Sequence, residues 1–113
     1  MKKVILLLFF IPFFSLTQEK EIILNTKSGN IKGTLLTPSI TKRTPLVLII
    51  AGSGPTDRNG NNAFMTNNSL KMLAEGLKND GISSLRFDKR GVGESIESGL
   101  KEIDLRFEDY IQD

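Results

Sequence analysis

Leu46-Val47-Leu48-Ile49-Ile50-Ala51 is an unbroken apolar run held between Pro45 and Gly52. So short a run, rich in β-branched residues, suits a strand buried on both faces better than a helix, as in a parallel sheet covered by helices. The residues after it extend that reading. Residues 52–62 form a polar, glycine-rich loop. Leu70, Leu73, Ala74 and Leu77 then recur at i, i+3, i+4 and i+7, one face of a helix. Thr66, Asn67 and Asn68 offer N-caps to that helix, and Gly81 offers its stop. Residues 82–87 read as a second strand. Strand, helix and strand in this order predict a parallel β-α-β unit.

A hairpin is predicted ahead of this unit. Residues 21–25 and 31–37 read as short strands around the turn sequence Lys27-Ser28-Gly29-Asn30. Gly33, inside the second strand, marks either a bulge or a close approach of backbones. Residues 38–45 are polar and read as an exposed loop. Beyond the β-α-β unit a turn region starts at Asp88. Ile103, Phe107, Tyr110 and Ile111 then share one helical face, and Asp113 falls within that pattern. The predicted fold class is α/β, an antiparallel hairpin followed by a parallel β-α-β unit. The sheet is expected to be incomplete, since the last helix has no strand to return to.

The first seventeen residues read differently. Lys2 and Lys3 precede an almost wholly apolar run over residues 4–14, and Ser15-Leu16-Thr17 places small residues three and one before Gln18. This is the layout of a secretory signal peptide, with an apolar run too short to cross a bilayer comfortably. The expected domains are therefore a signal peptide over 1–17 and one globular portion over 18–113. The protein is expected to be exported, periplasmic or secreted, with no stable membrane span once the signal is gone. The chain has no cysteine, which excludes both a lipoprotein anchor and disulfides. Of 15 basic and 13 acidic residues, the signal carries Lys2 and Lys3 and no acid. The remainder balances at 13 of each, so the basic character of the whole chain is no sign of nucleic-acid binding.

The chain also has no histidine. A Ser-His-Asp mechanism needs an imidazole to take the serine proton, and the usual zinc sites need His or Cys. No catalytic residue and no metal ligand set is therefore identified within the chain. Two loops carry the remaining information. One is Ala51-Gly52-Ser53-Gly54-Pro55-Thr56-Asp57-Arg58-Asn59-Gly60-Asn61. The other is Leu85-Arg86-Phe87-Asp88-Lys89-Arg90-Gly91-Val92-Gly93-Glu94-Ser95. Joined by an amphipathic helix, the pair resembles the α/β-hydrolase superfamily over roughly residues 20–113, most closely its bacterial esterases and serine-aminopeptidase-like hydrolases. In that family the first loop carries a His-Gly-x-Gly-like motif and the second an Asp-x-Arg-Gly-x-Gly-x-Ser motif. Ala51 stands here where many relatives have His.

The resemblance implies the N-terminal part of an α/β-hydrolase sheet. In it strand 46–50 is central, with strand 82–87 on one side and the nucleophile-bearing strand on the other. It also implies roles. Acyl transfer passes through a tetrahedral oxyanion that backbone N–H groups stabilise, one of them from the first loop. The resemblance places that donor at the N–H of Ser53, with Gly54 as the alternative. Because the donor is backbone, the absence of His at position 51 leaves the role intact. Asp88, Arg90, Gly91, Gly93 and Ser95 are implied to be a structural turn supporting the site's rim, Asp88 and Arg90 pairing with each other or with backbone groups. Ser53 is not a nucleophile on this reading: Ala51 and Pro55 flank it in place of the glycines of Gly-x-Ser-x-Gly, and no histidine is present to activate it.

Other motifs fail on particular residues. Gly52-x-Gly54-x-x-Asp57 has an acid where a dinucleotide loop needs glycine or alanine. Neither glycine loop continues into Lys-Ser or Lys-Thr, as a P-loop would. Asp57-x-Asn59-x-Asn61 resembles a calcium loop, but Asn62 and Asn68 occupy the positions of its glycine and bidentate glutamate. No cofactor is expected. The sequence thus points to the front of an exported hydrolase for small ester or peptide substrates, inactive by itself. The rival is a small secreted β-α-β protein that binds or interacts without catalysis. Protein recovered outside the cytoplasm is expected to start at Gln18 by mass spectrometry. An intact Met1 there would contradict the signal peptide.

Overall fold

The computed structural model describes residues 18–96, 104 and 106–113. The expected signal peptide over 1–17 and Ile103 of the final helical face lie outside the described residues. Four strands form one sheet, β1 (Glu19–Thr26), β2 (Gly29–Leu36), β3 (Leu46–Ile49) and β4 (Ser83–Phe87), in the spatial order β1-β2-β4-β3. Helix α1 (Ser69–Asn79) joins β3 to β4, a 3-10 turn spans Gly93–Ser95, and α2 covers Phe107–Gln112. β1 and β2 pair antiparallel, β2 meets β4 antiparallel, and β3 runs parallel to β4. The predicted hairpin and parallel unit therefore share a single sheet.

The hairpin is longer than its sequence suggests, and its turn is tighter. Thr26 pairs with Gly29, leaving Lys27 and Ser28 to reverse the chain. Gly29 takes φ 121°, open to glycine, and the Thr26 hydroxyl donates to the Gly29 carbonyl at 2.6 Å. Gly33 is a close approach and no bulge. The register runs unbroken through Ile22, Gly33 and Phe87. A Cβ on Gly33 would stand 2.6 Å from the Arg86 carbonyl oxygen and 3.1 Å from the Phe87 Cβ.

The core forms on one face of the sheet. Leu36, Ile49 and Ala74 are buried together, with Leu70 and Leu77 packed against them. Leu73, expected on the same stripe, stays half exposed. β3 is likewise not buried on both faces. Register places Val47 and Ile49 on the α1 side, whereas Leu46 and Leu48 point to the other face and are 60% and 54% exposed. Ile50 and Ala51 have already left the ladder.

The start of α1 also departs from expectation. Asn68 is its N-cap residue, in a left-handed conformation at φ 52° that asparagine tolerates. Its side chain caps nothing. Instead the Asn59 carbonyl accepts from the N–H groups of Leu70 at 3.1 Å and Lys71 at 3.4 Å, and Asn67 Oδ1 accepts from that of Ser69 at 2.9 Å. A loop carbonyl thus satisfies donors that a cap side chain usually takes, which pins the loop to the helix. In α2, Ile111 is exposed, while the side chains of Phe107 and Tyr110 lie outside the described residues.

Gly33→Val should lower the unfolding free energy by about 1–3 kcal/mol, the usual cost of overpacking, read as a shift in urea midpoint. An unchanged midpoint would show that β2 and β4 have room between them.

Candidate functional site

Ligands of open α/β sheets bind outside the carboxyl ends of the strands. There, past β3 and β4, residues 50–55 and 89–92 border a cavity of about 470 Å³, completed by Phe87, Ile111 and Asp113. A second cavity of about 440 Å³ lies beside Leu46 and Ser83 at the opposite end of β3. Both glycine loops of the sequence thus come together at the first cavity.

Gly52, Ser53 and Gly54 are exposed on its wall, with Gly54 at φ 80°. The N–H groups of Ser53 and Gly54 donate to no acceptor among the described residues. The two carbonyls of this loop are engaged. Lys89 Nζ donates to the Gly52 carbonyl and, at 2.7 Å, to the Gly54 carbonyl. Burial away from water pushes the Lys89 ammonium below the 10.5 of a free lysine. No histidine is available to the Ser53 hydroxyl, since the chain has none.

The second loop is organised around Asp88, which is 2% exposed. Its Oδ1 accepts the N–H of Arg58 at 2.7 Å and its Oδ2 that of Glu94 at 3.0 Å. The Arg58 guanidinium lies 3.7 Å from Oδ2 and also meets the Glu94 carboxylate. Gly93 makes room for this arrangement: at φ 54°, its Cβ would fall 2.7 Å from Oδ2. Ser95 closes the turn. Its hydroxyl donates to the Asp88 carbonyl at 2.8 Å and accepts the Lys32 N–H at 2.9 Å. The Gly91 N–H donates to the Ser95 carbonyl at 3.1 Å, and the Asp88 N–H to the Lys32 carbonyl at 2.9 Å. The turn is therefore fixed to β2.

Asp88 and Arg90, expected to pair with each other or with backbone groups, go separate ways. Asp88 takes backbone donors and Arg58. Arg90 reaches the hairpin residues Thr26 and Ser28 and also meets the Asp113 carboxylate. Residues 56–62, the polar end of the first glycine loop, are absent from the cavity wall. Their polar groups serve one another, the start of α1 and the β4 side of the site. Asp57 Oδ1 accepts the N–H groups of Asn59 and Asn61 at 2.8 and 2.9 Å, and Asn61 Oδ1 accepts those of Asn67 and Asn68 at 2.9 and 2.8 Å.

Three basic residues escaped the sequence reading. Arg58 and Lys89 carry no periodic signal, and each acts on residues thirty or more positions away. Arg86 did leave one, a charge in the middle of the apolar strand Leu85-Arg86-Phe87. It is 2% exposed and reaches Asn59 Oδ1 at 3.0 Å and the Glu19 carboxylate at 3.2 Å. Burial lowers its pKa, and Glu19 opposes that shift.

Among solved structures the chain is similar to a cold-adapted esterase from an Arctic intertidal metagenomic library. The identity is 25% and the TM-score 0.51, over 70% of this chain and 31% of that one. It is also similar to an α/β serine hydrolase without a lid from Xanthomonas campestris, at 26% identity and a TM-score of 0.49, over 70% of this chain and 35% of that one. A third match is the α/β hydrolase GrgF from Penicillium sp. sh18, at 21% identity and a TM-score of 0.49, over 67% of this chain and 23% of that one. The chain thus spans about a third or less of the length of these structures. No protein-family model and no curated protein matches it.

Asp88→Ala leaves two partly buried N–H groups without their acceptor and removes one of the two carboxylates that meet the Arg58 guanidinium. It should cost about 3–5 kcal/mol, the range for breaking a buried ion pair from one side. Asp88→Asn keeps one acceptor oxygen and should cost less. Equal urea midpoints for wild type and Asp88→Ala would show that the carboxylate does not organise the two loops.

Proposed function

We propose that this chain, whose fold is that of the N-terminal part of an α/β hydrolase, is the leading portion of an exported serine hydrolase acting on carboxylic esters or peptides. The observation that carries the reading is the pair of N–H groups at Ser53 and Gly54 that meet no acceptor among the described residues. They lie on the wall of a cavity at the carboxyl ends of two parallel strands. Such donors suit the oxyanion of a tetrahedral intermediate, whose charge develops only as an acyl carbon is attacked. The esterase among the structural neighbours supports an ester as substrate.

On this reading a serine oxygen attacks the acyl carbon and its proton passes to a histidine. The carbonyl oxygen takes up negative charge against the Ser53 N–H, the alcohol or amine departs with the proton, and water then releases the acid. The chain supplies the donor and the rim. Asp88, Gly91, Gly93 and Ser95 form a braced turn beneath that rim, and Arg90 ties it to the hairpin. Because the chain contains no histidine, the proposal assigns the nucleophile, the acid and the histidine to sequence following Asp113, in that order, with the serine in a Gly-x-Ser-x-Gly elbow. Residues 1–17 serve export and leave afterwards.

The missing histidine also favours the second reading, a small secreted protein that uses the cavity only to bind. Hydrolysis of 4-nitrophenyl acetate separates the two. Residues 18–113 alone should release nitrophenol no faster than buffer, while the protein encoded through the sequence after Asp113 should turn it over. Turnover by residues 18–113 that vanishes in Ser53→Ala would make Ser53 the nucleophile. A coding sequence without Gly-x-Ser-x-Gly after a predicted strand would leave the binding protein as the better account.

A further inference from the structure

We infer that Lys89 is the positioning residue of the donor loop, clamping its carbonyls so that the Ser53 N–H is held as the oxyanion donor. For its catalytic consequence the inference rests on the hydrolase reading above. The clamp itself stands on geometry. Lys89 Nζ donates to the carbonyls of Gly52 and Gly54 across a separation of thirty-five residues and more. No cis peptide occurs among the described residues. In a trans peptide the C=O and the following N–H point in opposite directions. Fixing the Gly52 carbonyl on the ammonium therefore fixes the Ser53 N–H on the opposite side of that peptide plane. The second contact uses up no donor, because the Gly54 carbonyl belongs to the peptide of Pro55, which has no N–H. The Gly54 N–H belongs to the intervening peptide, and Lys89 touches neither end of it. Of the two candidate donors, the clamp thus orients Ser53.

The loop needs such a device. Glycines at 52 and 54 leave the flanking torsions free over regions closed to other residues, and a Cβ at either position would meet nothing within 4 Å. Packing therefore does not restrain these peptides. A preorganised donor stabilises developing charge without reorganising at the moment of reaction, so a loop loose in this way requires an outside restraint. Lysine suits the task because it carries three donors on a flexible stem. Its own placement follows from Asp88, the adjacent residue, which is locked between Arg58 and Glu94.

The test uses the protein as its gene encodes it, with 4-nitrophenyl acetate as substrate and Lys89→Met and Lys89→Arg as variants. Lys89→Met should lower kcat by about 10- to 100-fold, below the loss from deleting an oxyanion donor outright, with KM within about twofold. Lys89→Arg, whose fork can also span two carbonyls, should recover most of the rate. In 1H–15N spectra Lys89→Met should displace the Ser53 amide resonance and Lys89→Arg should return it toward the wild-type position. An unmoved Ser53 amide together with an unchanged kcat would overturn the inference. So would a loss of rate that tracks the urea midpoint and is not rescued by arginine, since that describes a merely structural lysine. If the wild-type protein hydrolyses no ester, the hydrolase reading falls, and the Ser53 amide shift alone decides whether Lys89 holds the loop.

Discussion

The carboxylate of Asp88 is the contact on which the site depends. A buried carboxylate is costly unless donors replace the water it loses. Here two backbone N–H groups and one guanidinium do so, and they come from both glycine loops. The Arg58 amide fixes the loop after β3, and the Glu94 amide fixes the turn after β4. Each loop has a second anchor, the Asn59 carbonyl on the start of α1 and the Ser95 hydroxyl on β2. Lys89, next to Asp88, is thereby aimed at the carbonyls of Gly52 and Gly54. Carboxylate, lysine and donor loop form one chain of dependence from a buried charge to the Ser53 N–H.

The sequence made some of this legible and concealed the rest for physical reasons. Hydrophobic periodicity reports on the face an element buries, so the β-α-β unit, the hairpin and the helical position of Ala74 could be read directly. Gly33 was legible as a glycine without a local excuse, and the backbone of β4 supplies the reason. Periodicity says nothing of polar partners far apart along the chain. Arg58 with Asp88, Lys89 with Gly52, and Arg90 with Thr26 and Ser28 are such partners. Of the two kinds of partner open to Asp88, backbone groups took its carboxylate together with Arg58, while Arg90 reaches the hairpin. The left-handed Asn68 was hidden likewise, since the donors it would have capped are taken by a carbonyl nine or more residues earlier.

The exposed side of β3 follows from the same sheet. Among the described residues β3 bonds only to β4, and Leu46, Val47, Leu48 and Ile50 are all exposed. An uncharged apolar edge of this kind invites pairing with another strand. The family resemblance assigns that position to the strand bearing the nucleophile. On the proposed function that strand would pair with the open edge of β3 and bring its serine beside the Ser53 N–H.

The most direct measurement is a crystal structure of the gene-encoded protein treated with an activated alkyl phosphonate, which mimics the tetrahedral intermediate of acyl transfer. The account predicts a covalent adduct on a serine in a Gly-x-Ser-x-Gly elbow, with the phosphonyl oxygen about 2.7–3.1 Å from the Ser53 N–H and Lys89 still on the Gly52 carbonyl. An adduct whose oxygen is held elsewhere, or a protein that forms no adduct at all, would contradict it.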